Sequence, residues 1–532
     1  MVRSHIKNDA IRGINNMRET SASYNPFPVV REVNFKITFG VTDQNAKKNE
    51  TVITYNDAGA LGSVRGTVDD ISSPGGKYAD LERNLWTLDG TYNILPDNAG
   101  DSAVGWWSSS ISGADGTFGT NPKIKYMFPV PISTLGWTLI FDTKSEQYAS
   151  RVKITAYGSN GSTVIDTGEY TISEPYAGIQ HYVGDYYGVE IEFLETSEPY
   201  RRVRLIEIDF GLTKFYDRNS ISEAEITYGA DITSSSLPTR ELVLSFDNSD
   251  KQYNLLNPDG VYQYLQDGQT IDAVITINGE DISMGTFYFT SADVSKSAIV
   301  PRLIANDRIW ALDGQNYDGG RDETLTLEAA IAEVLSGYNI PVSYSGGAAS
   351  VAVVMAIPKK TKIREAVRLL AQAARCTVYI DRDNTMRFAQ LSINDTEDGE
   401  ITNDELYDYS GVSIAEKIDG VRLSVSNEYR ASEGGESTGT NTTYTSGEGE
   451  LFKSVSNPCV TDENGQAVAD WLLAGFKCRK RYAVKNRCDP AVEIGDTLKI
   501  WDIFDNRENA VVTGINLRFD GGLYAVTEAV GK

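Results

Sequence analysis

The sequence predicts a mainly β protein with a small α/β insertion, and three observations carry this. Tyr, Val, Ile and Thr recur in short runs broken by Gly, Asn, Asp and Ser, with 29 Tyr and 47 Gly against 16 Pro. Strands favour β-branched and aromatic residues, and turns favour the residues that break these runs. Several runs alternate apolar and polar residues, the period of a half-buried strand. Between residues 313 and 395 the period changes to that of helices. The 532 residues, 41% of them hydrophobic, suit a globular chain of roughly three to five domains.

The elements follow in order. Residues 1–85 open with a polar arm to about Ser23, then a strand at Val33–Asp43 and a short one within Ala46–Asp57. Isolated strands are unstable, so this region must pack on something else. Residues 86–212 read as one unit, from Trp86–Gly90 through Val104–Phe118, Trp137–Asp142, Val152–Gly161 and Tyr187–Thr196 to Arg201–Gly211. Short strands at near-even spacing with Gly-rich turns predict a β-sandwich. Residues 213–312 hold a strand pair in Ser222–Gly260, a second in Thr270–Gly279 and Met284–Ser295, and a closing segment Ile299–Gly314.

In residues 313–395, Thr326–Ile340 has helical spacing, with Thr326 as N-cap and Gly337 as stop. Lys359–Cys376 is a second amphipathic helix, and Thr377–Gln390 reads as a hairpin turning at Asp383–Asn384. Residues 396–532 return to β: a strand in Ile414–Tyr429, a polar and mobile loop at Ala431–Glu450, a helix at Gln466–Lys480, and closing strands in Asp489–Asp502 and Asn509–Gly531.

Lys plus Arg number 49 and Asp plus Glu 74, a formal net charge of −25. That argues against a duplex nucleic-acid binder, which needs basic patches, and against binding an anionic membrane surface. An acidic wall lets a polyanion slide past without sticking; it also simply keeps a protein soluble. Cys376, Cys459, Cys478 and Cys488 form no CxxC pair and have no nearby His, so neither zinc nor a disulfide framework is expected. The N-terminus, Met1–Gly13, lacks the apolar core of a signal peptide. No stretch approaches the ~20 apolar residues of a spanning helix.

Catalytic chemistry is not indicated. His5 lies in the arm and His181 in a Tyr-rich loop, without HExxH spacing or a GxSxG elbow. Carboxylates are abundant, so a glycosidase pair is not removed by residue types alone. Gly346–Gly347 and Gly434–Gly435 lack the context of a phosphate cradle. Asn394–Glu400 lacks the spacing of a calcium loop and reads as a solvated turn. No cofactor and no metal site are expected, although Asp97 and Asp101 are carboxylates that a structural calcium could use.

The candidate binding surface is aromatic. Trp106 and Trp107 are adjacent, so on a strand they point to opposite faces, and one can be core and the other exposed. Tyr176, Tyr182, Tyr186 and Tyr187 share one long loop region. Sugar C–H faces stack on aromatic rings, which makes these six residues glycan-binding candidates. The same residue types also build cores and subunit interfaces.

Two resemblances extend this reading. The early Trp, GWWS, IFD, ITAYG and closing RLIEIDFG of residues 86–212 resemble the discoidin, or galactose-binding-like, jelly roll of many carbohydrate-binding modules. In residues 213–312, the strand pair, NLLNPDG, DGQ, GTFYF and ANDR resemble the first barrel of bacteriophage tail hubs. The helix–strand–DRDN turn–strand order of 313–395 is similar to the insertion of such hubs. PAVEIGDTLKI followed by VVTGINLRFDGGL, within 396–532, resembles the second barrel.

The resemblance implies a jelly-roll β-sandwich followed by two hub-type β-barrels. It implies a non-enzymatic structural hub or baseplate part of a phage or phage-tail-like bacteriocin, closing the tail tube and touching a host-surface glycan. A homotrimer would offer six barrels to a six-fold tube. The implied partners are the tail tube or distal tail ring protein, the tape-measure protein, and tip, spike or receptor-binding proteins. The implied location is the virion tail tip, assembled in the bacterial cytoplasm and released by lysis. A hexameric distal tail ring protein, a non-catalytic glycan-binding adhesin and a glycosidase with a binding module are the alternatives.

Overall fold

Bulges and two proline residues explain the central feature of the smaller of two units, in which a few long bent strands replace many short ones. The computed structural model describes residues 24–43, 46, 51–57, 62–68, 77–78, 82–83, 85, 89–93, 104–254, 257, 260–293, 301–338, 340–391, 393, 396–408, 411–426, 441–501, 504 and 506–531. The smaller unit is Thr38–Phe215 with Leu255–Thr270; the larger is Met1–Ile37, Tyr216–Asn254 and Ile271–Lys532. Both are mostly β, as the sequence predicts. The arm up to Ser23, His5, Trp86, Asp97, Asp101 and residues 431–440 lie outside the described residues.

In the smaller unit, Lys123–Phe141 and Tyr176–Thr196 pair antiparallel. Their register slips three times, between Met127 and Ile132, between Ile132 and Thr134, and between Thr134 and Gly136. Pro129 and Pro131, which have no N–H to give a ladder, fall inside the first slip. Strand halves on either side of the slips take different neighbours. Ile124–Met127 pairs with Val52–Tyr55, while Thr138–Phe141 pairs with Arg204–Asp209, which in turn carries Trp106–Trp107. The later half of Tyr176–Thr196 carries Ala149–Tyr157, and that strand carries Val164–Thr171 at the edge.

Both halves face one core, in which Tyr126, Trp137, Leu139, Ile191, Phe193 and Leu205 are buried. The inward face follows from alternation: in Lys123–Phe128, Ile124, Tyr126 and Phe128 are buried and the residues between them are half-exposed. The short strands predicted at Trp137–Asp142 and Tyr187–Thr196 are thus the ends of longer ones, because the prolines read as breaks and are in fact absorbed in a bulge.

The larger unit holds a continuous sheet in the order Gly411–Ile414, Lys480–Asn486, Leu523–Gly531, Arg507–Phe519, Ile221–Gly229, Glu241–Phe246, Arg302–Asn306, Glu280–Asp293. The predicted strand pair of Ser222–Gly260 is present, with Ala224 opposite Leu244. Ile221–Gly229 also pairs on its other side with Arg507–Phe519, Ala224 opposite Phe519. The strands assigned to two separate barrels therefore share a hydrogen-bonded seam. At the start of the described chain, Tyr24 donates from its hydroxyl to Asp489 Oδ1 (2.8 Å), and Arg31 Nη2 donates to the Cys488 carbonyl (2.5 Å).

The helices form where the periodicity places them. Helix α1, Leu327–Val334, is capped by Thr326, whose hydroxyl accepts from the Ala329 N–H; Gly337 follows it at φ +95°. Helix α2 spans Ile363–Ala373, and the hairpin Thr377–Ile380/Met386–Ala389 turns through Asn384 at φ +58°. Helix α3 spans Gly465–Lys477.

The core under α1 and α2 does not stop at residue 395. It continues through Val421, Leu423, Val460, Val468 and Leu472. Each such buried aliphatic side chain contributes roughly 1.5–3 kcal/mol. The predicted loop Ala431–Glu450 also needs correction where it is described. Thr442–Gly447 is a strand paired with Gly420–Val425, because a run of Thr and Tyr has strand propensity despite its polarity.

Candidate functional site

The six aromatic candidates are placed very differently. Trp106 and Trp107 are both buried, so the expected outward-facing tryptophan is absent. Trp106 stacks on Phe193 with ring centres 5.8 Å apart. Trp107 lies beneath the Arg204 guanidinium, 4.2 Å from the ring centre. That guanidinium is fully buried and paired with Glu82 and, at 3.0 Å, with Asp142. Burying an arginine requires such partners, and Trp107 closes the remaining face.

The predicted tyrosine-rich loop is the strand Tyr176–Thr196. Tyr186 points into the core, where its hydroxyl accepts from Trp137 Nε1 (3.3 Å); burial raises its pKa. Trp106, Trp107 and Tyr186 are therefore closed to any ligand in this conformation. Tyr182 is 57% exposed and packs near Tyr264, ring centres 6.1 Å apart. Tyr176 meets Phe215 edge-on at 5.1 Å, and Tyr187 is half-buried.

A different cluster forms around His181. The residue sits on the same strand rather than in a loop, between the buried Ile179 and Val183. It therefore faces the same side as those core residues, yet its side chain is 39% exposed. Nε2 is hydrogen-bonded to Asp166 Oδ1 at 3.1 Å. The imidazole stacks over Trp137, centres 6.1 Å apart at 22°, and meets Tyr170 at 6.0 Å. Asp166, Gly168 and Tyr170 alternate along one face of the edge strand Val164–Thr171. Gly168 makes room for the Tyr170 ring, whose hydroxyl lies 2.6 Å from where a Cβ would stand. Gly136 lets the neighbouring backbone close up, since a Cβ there would lie 1.9 Å from the Ile179 carbonyl oxygen.

Sequence reading missed Asp166 and Tyr170. The alternation in Val-Ile-Asp-Thr-Gly-Glu-Tyr-Thr was visible, but nothing local ties this strand to His181.

The larger unit carries an open groove of about 660 Å³ lined by Tyr228, Asp231, Glu416, Ile418, Arg481 and Asn516 among others. Beside it, among the described residues, Gly411–Ile414 pairs only with Lys480–Asn486 and ends the sheet. Val412 and Ile414 on this edge are 49% and 69% exposed.

Buried charge joins three parts of this unit. Arg382 Nε lies 3.0 Å from Glu493 Oε1, and Arg382 Nη2 donates to the Val492 carbonyl (2.5 Å). The guanidinium groups of Arg382 and Arg240 each lie 5.5 Å from the Tyr228 ring centre. Asp307 Oδ2 accepts from the Arg240 N–H at 3.0 Å, and burial pushes its carboxyl up to about 6. Asp496 and Asp398 are also raised by burial.

Cys376, Cys459, Cys478 and Cys488 are free thiols. Among the described residues no group of three or more His, Cys, Asp or Glu is arranged to hold a metal ion, and no helix is long and apolar enough to cross a membrane.

No protein-family model and no curated protein matches the chain. Among solved structures it is similar to the 43 kDa tail protein of prophage MuSo2 from Shewanella oneidensis, at 14% identity over 60% of this chain and 96% of that one, TM-score 0.43. It is similar to a tail protein from Neisseria meningitidis MC58, at 11% identity over 60% and 94%, TM-score 0.43. It is also similar to prophage tail protein gp18 from Listeria monocytogenes EGD-e, at 9% identity over 60% and 90%, TM-score 0.37.

Proposed function

We propose that this chain is a structural hub or baseplate component of a phage-type tail, sited at the tail tip and assembling with copies of itself, with tube or distal tail ring proteins, and with tip or receptor-binding proteins. The observation that carries the reading is the seam between Ile221–Gly229 and Arg507–Phe519. It draws together the two stretches that resemble the first and second hub barrels and leaves the helical module between them in sequence, the order such a hub requires. Gly411–Ile414, which among the described residues is paired on one side and exposes Val412 and Ile414, supports assembly, because an unpaired edge is a template for another chain. In this reading the smaller unit is a jelly-roll module that meets a neutral host-surface glycan, and no step of catalysis is assigned to the chain.

Electron microscopy of the purified protein tests the assembly. Trimeric rings are the expected result. Six-fold rings would favour a distal tail ring protein, and a strictly monomeric protein at high concentration would count against both.

A further inference from the structure

We propose that the Asp166–Tyr170–His181 cluster on Trp137 is a binding site for a neutral sugar, a place that replaces the buried tryptophans as the contact surface; the inference rests on the glycan-binding reading of the smaller unit. Four features converge there. Two rings, Tyr170 and His181, stand about 6 Å apart beside the partly exposed Asp166 carboxylate. A pyranose has an apolar C–H face that an aromatic ring covers and hydroxyls that pair with a few placed polar groups.

Asp166 Oδ1 is hydrogen-bonded to His181 Nε2, which among the described residues leaves Asp166 Oδ2 and His181 Nδ1 for ligand hydroxyls. The cluster is held from below, since Trp137 is buried and fixed through Tyr186, so little side-chain freedom is lost on binding. Charge selects among sugars. Asp166 and a chain of net charge −25 disfavour phosphorylated or acidic glycans and leave neutral ones.

The test uses the full chain and beads carrying galactose, glucose, rhamnose or N-acetylglucosamine. Wild type is expected to be retained on at least one of these. Tyr170→Ala and the isosteric Asp166→Asn are expected to weaken that retention about tenfold or more. Glu169→Gln, on the edge strand but pointing to the face opposite Asp166 and Tyr170, should leave it unchanged.

Thermal melts of each variant report whether the unit remains folded, and Asp166→Asn keeps the test decisive if Tyr170→Ala does not fold. Retention of wild type and Asp166→Asn alike overturns this site and leaves the glycan reading standing. Loss with a further variant, Tyr182→Ala, instead moves the site to Tyr182 and Tyr264. No retention of wild type on any bead overturns the glycan reading and this site with it.

Discussion

Arg382 holds its Nε 3.0 Å from the Glu493 carboxylate in the interior of the larger unit, the side chains being 1% and 9% exposed. Arg382 sits in the turn of the Thr377–Ile380/Met386–Ala389 hairpin, and Glu493 just precedes Thr497–Trp501. One ion pair thus ties the inserted module to the closing strands. Tyr228, from an opening strand, donates its ring and accepts at its hydroxyl from Arg382.

Breaking this pair leaves a buried charge without its partner. Glu493→Gln is expected to destabilise the larger unit by about 3–5 kcal/mol. Urea denaturation would register this as a lower midpoint with an unchanged slope. An unchanged midpoint would mean that the charge pair is dispensable.

Acidification should stabilise the protein through Asp307. Its carboxyl is raised from the usual 3.8 to about 6 by burial. Between those values the folded chain holds a proton that the unfolded chain has released, so stability rises as pH falls from about 7 toward 4. Asp398 and Asp496 are shifted the same way. Asp307→Asn should flatten the slope by an amount on the order of 1–3 kcal/mol across that window. Denaturation midpoints of wild type and variant, measured at several pH values, would reveal parallel curves if Asp307 does not titrate there.

Gly136 permits the last of the register slips. Gly136→Ala places a methyl against the Ile179 carbonyl oxygen and should cost about 1–3 kcal/mol or more. Calorimetry would detect it as a lowered transition for the smaller unit, and the His181 stacking should loosen with it. A wild-type transition would show that the bulge has room to spare.

The edge strand offers a direct probe of assembly. Val412→Lys together with Ile414→Lys should suppress self-association while shifting stability by no more than about 0.5 kcal/mol, since both side chains are exposed. Sedimentation of wild type and variant at equal concentration distinguishes the outcomes; identical profiles would exclude this edge from the contact.

Local signals were legible wherever local physics decides. The Thr326 cap, the Gly337 stop and the Asn384 turn each follow from the preferences of one residue, and each stands where the sequence places it. The long strands were not legible, because Pro129 and Pro131 break a pattern locally that a bulge repairs only when a partner strand is present. Burial of both Trp106 and Trp107 was hidden for the same reason. Alternation sends one ring to each face, but whether the second face is covered depends on Arg204, Glu82 and Asp142, far apart in sequence. The His181 cluster likewise needs Asp166 and Tyr170 brought in from another strand.

The seam between Ile221–Gly229 and Arg507–Phe519 sets a schedule for synthesis. About 280 residues separate these strands. At roughly 5–20 residues per second, translation leaves the first strand waiting some tens of seconds for its neighbour. The Tyr24–Arg31 segment waits longer still for Arg487–Asp489, whereas the partners in Thr38–Phe215 emerge soon after one another. The smaller unit can mature on the ribosome, but the sheet of the larger one closes only after Arg507–Phe519 has emerged. Until then Ile221–Gly229, already paired with Glu241–Phe246 on one side, presents an open border that a nascent copy on the same message, or a chaperone, can occupy.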